Sequence, residues 1–121
     1  MIVMKINKDL KELIESNPVS VSTVNSNKVP HTIYVMYIKI IGEDKILITD
    51  NYMKKTKENI LQNNKVALSI LVGDAAFELN GIAEYFSVGD YVEQVKKIPE
   101  NKGFPCKGAI VVTVEDIVKM S

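Results

Sequence analysis

The feature that most restricts the fold is a pair of neighbouring runs in which apolar and polar residues alternate. From Lys65 to Val72, the residues Val66, Leu68, Ile70 and Val72 fall on every second position. From Ala75 to Phe86, Phe77, Leu79, Gly81, Ala83 and Tyr85 alternate with Glu78, Asn80, Ile82 and Glu84. A period of two collects each set on one face of a pleated strand, whereas a helix would scatter it around its axis. Gly73-Asp74 between the two runs predicts a tight hairpin.

The rest of the chain continues in this style. Val19 to Val24 reads as a short strand and Asn25-Ser26-Asn27 as a turn. Pro30 to Ile41 reads as one long strand, apolar on both faces: Ile33, Val35 and Tyr37 against Tyr34, Met36 and Ile38. Gly42-Glu43-Asp44 turns the chain into a strand from Lys45 to Thr49, and Gly108 to Met120 is the last strand. Residues 7 to 16 form a short helix capped by Asn7, striped by Leu10, Leu13 and Ile14, and stopped by Asn17-Pro18. Ser87 and Asp90 form a capping box for another, striped by Val88, Tyr91, Val92 and Val95 and ended by Pro99. The expected architecture is mainly β with short helices: about six antiparallel strands, closed into a barrel because a small open sheet leaves two unpaired edges. The long strand needs cover on two sides. Barrel core supplies one; a helix, a cofactor ring or a partner subunit would supply the other.

Composition narrows the function. The 121 residues suit a single domain spanning 1–121, and fifteen basic residues balance fifteen acidic ones. That balance argues against general nucleic-acid binding, which needs a positive surplus to displace counterions. Cys106 has no disulfide partner, and with His31 as the single histidine it cannot build a four-ligand zinc site. No apolar run approaches the ~20 residues of a membrane span. Met1 to Lys11 alternates apolar and charged residues and lacks a signal-peptide core, so the expected location is a reducing cytoplasm. All fifteen basic residues are Lys. With no Arg to form a planar two-point fork, a bound anion must be held by ammonium groups, hydroxyls and backbone N–H.

One connection is longer than a hairpin requires. Asp50-Asn51-Tyr52-Met53-Lys54-Lys55-Thr56 leads into a short helix from Thr56 to Asn63, with Thr56 able to cap it. Lys54, Lys55 and Lys57 crowd the helix start, offset only by Glu58. Each lysine there is unfavourable by roughly 0.3–1 kcal/mol, because the first N–H groups already make that end electropositive. A bound phosphate reverses the sign. A solvated lysine cluster on a surface loop accounts for the same residues, and the pattern alone does not choose.

The stretch from Asp50 to Ile60, followed by Asn64-Lys65-Val66-Ala67-Leu68-Ser69, resembles the FMN-binding split-barrel family, the pyridoxamine 5'-phosphate oxidase-like flavoproteins and small FMN-binding proteins. Val29-Pro30-His31, Asn80-Gly81-Ile82-Ala83-Glu84-Tyr85 and Gly108-Ala109-Ile110-Val111-Val112-Thr113-Val114 resemble it as well, in order along nearly the whole chain. The resemblance implies an antiparallel split barrel that forms a homodimer, with FMN in each of two clefts between subunits. It implies that Lys55 and Thr56 hold the FMN phosphate and that Asn51, Tyr52 and Met53 follow the ribityl chain and flavin edge. Thr49 and Asp50 lead into that loop, and Tyr34, Val35 and Met36 line the ring. Relatives often carry Asn, Thr and Trp at these last three positions, and this sequence departs from that pattern.

The function implied is a redox flavoprotein: an oxidoreductase supplied by NAD(P)H or a protein redox partner, or a non-catalytic electron carrier. A relative binding a deazaflavin or haem on the same fold is the alternative. Pyridoxamine-phosphate oxidation itself is not expected, since that enzyme class is longer and uses Arg residues that this chain lacks. His31 reads as an ordinary strand-start residue, Cys106 as a plain free thiol, and Tyr85, Phe86 and Tyr91 as core or interface. Met120-Ser121 could touch a partner's flavin.

Overall fold

The computed structural model describes residues 6–120. The N-terminal alternation from Met1 to Lys5, and Ser121 with the role suggested for it, lie outside the described residues. Helix α1 spans Lys8–Ser16; Asn7 caps it, its Oδ1 accepting the Leu10 N–H at 2.8 Å. Then follow β1 (Val19–Val24), β2 (Pro30–Val35), β3 (Lys39–Ile41), β4 (Lys45–Asp50), α2 (Lys55–Gln62), β5 (Lys65–Val72), β6 (Ala75–Phe86), α3 (Asp90–Lys96), a 3-10 turn at Pro99–Asn101 and β7 (Gly108–Lys119).

Among the described residues seven strands form one antiparallel sheet in the order β2-β1-β5-β6-β7-β4-β3. The expected hairpin is present: β5 and β6 pair from Lys65↔Ile82 to Val72↔Ala75. Val66, Leu68, Ile70, Leu79 and Ala83 are buried in the main core, as the alternation predicts. β4 and β7 are buried on both faces. Ile46, Ile48, Ile110 and Val112 enter the main core, while Leu47, Ala109 and Val111 pack with Val92 and Val95 of α3.

Four expectations change. The strand from Pro30 to Ile41 is two strands, so the sheet has seven rather than six: residues 36–38 bend, with Tyr37 at φ 60°. The bend shifts the alternation by one residue, so that Ile33 and Val35 pack on the core before it, and Ile38 and Ile40 after it. The sheet does not close by hydrogen bonds, yet its edge strands β2 and β3 are consecutive in the chain. Four Cα steps from Val35 to Lys39 span at most about 14 Å, so at that end the two edges lie close and the sheet is a rolled, split one. The β3 edge is covered by α1, whose Glu15 Oε2 accepts the Ile40 N–H at 2.8 Å. Finally, of the three expected caps only that at Asn7 forms. Thr56 lies inside α2, whose N-cap is Lys54, and the chain turns at Gly89 (φ 106°), so α3 starts beyond a Ser87 cap and leaves Val88 exposed.

Candidate functional site

The long connection after β4 is built around a buried carboxylate. Asp50 is 0% exposed. Its Oδ1 accepts the Met53 N–H at 2.8 Å, the short-range bond that Asp makes in tight turns. Its Oδ2 accepts the Tyr85 hydroxyl at 2.5 Å. Burial pushes the Tyr85 hydroxyl pKa up first, and the hydrogen bond to Asp50 and the Asp50 charge push it further, so the group stays a protonated donor. The segment before β7 fastens the same loop. Lys107 donates its backbone N–H to the Asp50 carbonyl (2.8 Å) and its Nζ to the Met53 carbonyl (3.2 Å), with Nζ 3.9 Å from Asp50 Oδ1. The Cys106 N–H donates to Asn51 Oδ1 at 2.9 Å.

Helix α2 begins where this loop ends. Its N-cap, Lys54, provides no side-chain acceptor, so the amides of the first turn have no capping oxygen. The helix is anchored by buried Thr56, Asn59 and Ile60, with Asn59 Nδ2 donating to Thr23 Oγ1 of β1 at 3.0 Å. The three lysines separate. Lys54 and Lys55 face a cavity, whereas Lys57 Nζ lies 4.8 Å over the Tyr85 ring, an attractive cation–π position.

That cavity has a volume of about 530 Å³. One wall is β2 and the bend after it: Tyr34, Val35 and Met36, joined by His31, Ile33 and Tyr37. Opposite lie Thr49, then Asn51, Tyr52 and Met53 of the loop, then Lys55 and Thr56 with Lys54. Of the residues that the resemblance singles out, all but Asp50 therefore line one cavity. Asp50 holds the loop from beneath.

Asn101 and Phe104 form a wall that sequence reasoning misses. Asn101 is buried and donates Nδ2 to Thr49 Oγ1 (2.8 Å) and to the Val95 carbonyl (2.9 Å), fixing the side chain of one lining residue. Phe104 meets the Tyr52 ring edge-on at 6.3 Å. Ile33 and Tyr37 were legible as one face of the long strand; Asn101 and Phe104 carry no such signal. Cys106 is a free thiol, as expected, and a buried one, packed in the cluster that holds Val95 and Ile98.

The cavity lining is mixed in chemistry. Lys54, Lys55, Thr56 and the uncapped start of α2 bring cations and donors to it, while Ile33, Val35, Met36, Met53, Tyr52 and Phe104 bring apolar and aromatic surface. Such a cleft suits a flat ring carrying an anionic tail. Among the described residues no group of three or more His, Cys, Asp or Glu side chains is placed to hold a metal ion, and no helix is long and apolar enough to cross a membrane.

Comparison with known proteins gives the family of the fold. The sequence profile of the pyridoxamine 5'-phosphate oxidase family matches residues 6–121. An uncharacterized protein of Methanocaldococcus jannaschii is 30% identical over 123 residues, covering 98% of this chain and 83% of the relative. The structure resembles HupZ of Group A Streptococcus (TM-score 0.87, 22% identity, 95% of this chain and 94% of that one). It also resembles an FMN-binding protein from Syntrophomonas wolfei subsp. wolfei (TM-score 0.80, 22% identity, 94% and 88%). An F420 reductase and HutZ, the haem storage protein of Vibrio cholerae, share the fold at TM-scores of 0.69 and 0.70, with 20% and 12% identity over 89% and 96% of this chain and 94% and 96% of theirs. By the extent of the profile match, which spans nearly the whole chain, the protein belongs to the pyridoxamine 5'-phosphate oxidase family of split-barrel proteins.

Proposed function

We propose that this chain is an FMN-binding redox protein whose cofactor lies in the cleft between β2, the loop 51–54 and the start of α2. The observation that carries the reading is the coincidence, in the lining of one cavity, of an uncapped helix start bearing Lys54 and Lys55 with apolar and aromatic side chains. The donor set fits the group. Lys55, the Thr56 hydroxyl and first-turn amides would hold the phosphate, a chain without Arg having ammonium groups and amides for that purpose. Val35, Met36 and Met53 would cover the ring, and Asn51 and Tyr52 would follow its edge and side chain. Bound there, FMN supplies hydride or single-electron transfer; the protein's part is to hold, orient and shield it.

Tyr34 and Tyr52 at the cleft rim are 76% and 73% exposed. Apolar surface of this kind beside a ring site favours a covering partner, and a second copy of the chain is the partner this reading assigns. The cleft offers no paired acid and base, so an electron carrier and an oxidoreductase fed by NAD(P)H remain the two forms of the proposal. Steady NAD(P)H consumption with a defined acceptor separates them. The reading does not extend to pyridoxamine-phosphate oxidation, because no Arg is present to fork a substrate phosphate.

The test is the absorbance spectrum of the purified protein and titration with FMN and riboflavin. Lys55→Ala should weaken FMN about 10- to 100-fold, the loss of one charged hydrogen bond of ~1.5–3 kcal/mol, and leave riboflavin nearly unchanged. A colourless protein that rejects FMN refutes the reading. His31 in the cavity wall favours a second reading, in which haem occupies the cleft with an imidazole ligand. A Soret band in place of flavin bands would establish it, and binding of a deazaflavin in preference to FMN would establish the third member of the set.

A further inference from the structure

We propose that Asp50 and Tyr85 are a positioning pair that holds the two halves of the cofactor cradle in one fixed relation. The inference rests on the FMN reading and adds to it two residues that do not line the cleft. Tyr85 reaches both halves. Its hydroxyl donates to Asp50, the carboxylate that fixes the loop through the Met53 N–H, and its ring lies under Lys57 of α2. The loop presents Asn51, Tyr52 and Met53 to the cavity, and α2 presents Lys55 and Thr56.

Three observations separate this arrangement from ordinary packing. A fully buried carboxylate is costly unless its oxygens are satisfied, and here both are, one by the loop it shapes and one by Tyr85. The bond is possible because position 108, paired with Asp50 across β4 and β7, is glycine: a Cβ there would overlap the Tyr85 hydroxyl. The remaining cation near the carboxylate, Lys107, sits at 3.9 Å from Oδ1 and is engaged with the Met53 carbonyl, so it reinforces the same loop. Such bonds form the supporting layer that keeps a binding constellation pre-shaped, so that ordering the loop does not weaken binding.

Tyr85→Phe removes one oxygen and keeps the ring under Lys57. In the flavin-free variant, hydrogen exchange of the Met53 amide should accelerate about tenfold relative to the core Leu68 amide, the factor that a charge-assisted bond carries. FMN and riboflavin dissociation constants should rise by one common factor of about ten, unlike the FMN-only effect of Lys55→Ala. Asp50→Asn, which keeps an oxygen for Met53, should show a smaller rise than Asp50→Ala. Unchanged Met53 exchange, acceleration shared equally by Leu68, or an effect on FMN alone would each overturn the proposal. If the wild-type chain binds neither flavin, the cofactor reading falls separately, and the exchange measurement decides whether the pair sets the loop.

Discussion

Gly108→Ala is a one-carbon change with a cost that can be worked out from the coordinates. An ideal Cβ at this position overlaps the Tyr85 hydroxyl and the ring carbon bearing it, and lies 2.9 Å from the Phe86 carbonyl oxygen. The ring must swing away, which breaks the hydrogen bond to the Asp50 carboxylate and forfeits ~1.5–3 kcal/mol. Crowding against the Phe86 carbonyl adds roughly 1 kcal/mol, and the lower backbone entropy of Ala returns about 0.5–1 kcal/mol. The net loss is about 1.5–3.5 kcal/mol. In urea denaturation the midpoint should fall with the slope unchanged. The assay becomes decisive as a double-mutant cycle with Tyr85→Leu, which lacks the ring tip. In that background the added methyl meets only the Phe86 carbonyl, so Gly108→Ala should cost about 0.5 kcal/mol or less, a coupling of about 1.5–3 kcal/mol. Equal costs in the two backgrounds would show that the glycine does not exist to admit the tyrosine.

Two further outcomes follow from the same coordinates. The raised Tyr85 pKa makes stability depend on alkaline pH: an unfolded tyrosine ionises near pH 10, while the folded one keeps its proton through burial and the Asp50 bond. The contribution is therefore fully present below about pH 10 and lost as pH rises beyond it, so unfolding curves of wild type should weaken more steeply there than those of Tyr85→Phe. Tyr34→Ser should shift the mass measured by light scattering toward the monomer at low micromolar concentration, since it removes the most exposed aromatic of the cleft rim; an unchanged mass would separate that rim from any subunit contact.

Much of the fold could be read because its signals are local. Val66, Leu68 and Ile70 face the core because a two-residue period admits no other arrangement against β6. The Asn7 cap could be read because donor and acceptor are three residues apart. Most of the cleft was legible through the family resemblance, which is carried by contiguous stretches: the run from Thr49 to Thr56 supplies one part of the lining and the end of β2 another. What escaped depends on residues distant in sequence. Asn101 and Thr49 are 52 positions apart, and nothing in either neighbourhood announces their hydrogen bond. The burial of Asp50 depends on Tyr85 and Gly108, each from a different strand. The start of α3 was misplaced because Ser87 and Asp90 have the right spacing for a cap that the turn at Gly89 does not use.

The bend at residues 36–38 shows how core burial overrides local pattern and, in doing so, locates the site. A straight strand from Pro30 to Ile41 would put Ile33 and Val35 inward together with Tyr37, Lys39 and Ile41, turning Ile38 and Ile40 toward solvent. That arrangement buries a lysine and exposes two isoleucines, each worth roughly 1.5–3 kcal/mol when buried. Placing Tyr37 at φ 60° costs about 1–2 kcal/mol. In return Ile38 and Ile40 become 1% and 8% exposed, and Lys39 points outward. Burying Ile38 and Ile40 while Ile41 still packs on the second core, and keeping Lys39 out of the interior, outweighs straining and exposing one tyrosine, so the chain breaks phase. The break also ends the β2 ladder, leaving β2 and β3 as the two edges of a sheet that rolls toward closure without completing it. Tyr34, Val35, Met36 and Tyr37 line the cleft beside that opening. The position of the cleft is thus a consequence of where the hydrophobic alternation slips by one residue, which is why a reading that kept the strand continuous could name its lining residues without seeing the gap they border.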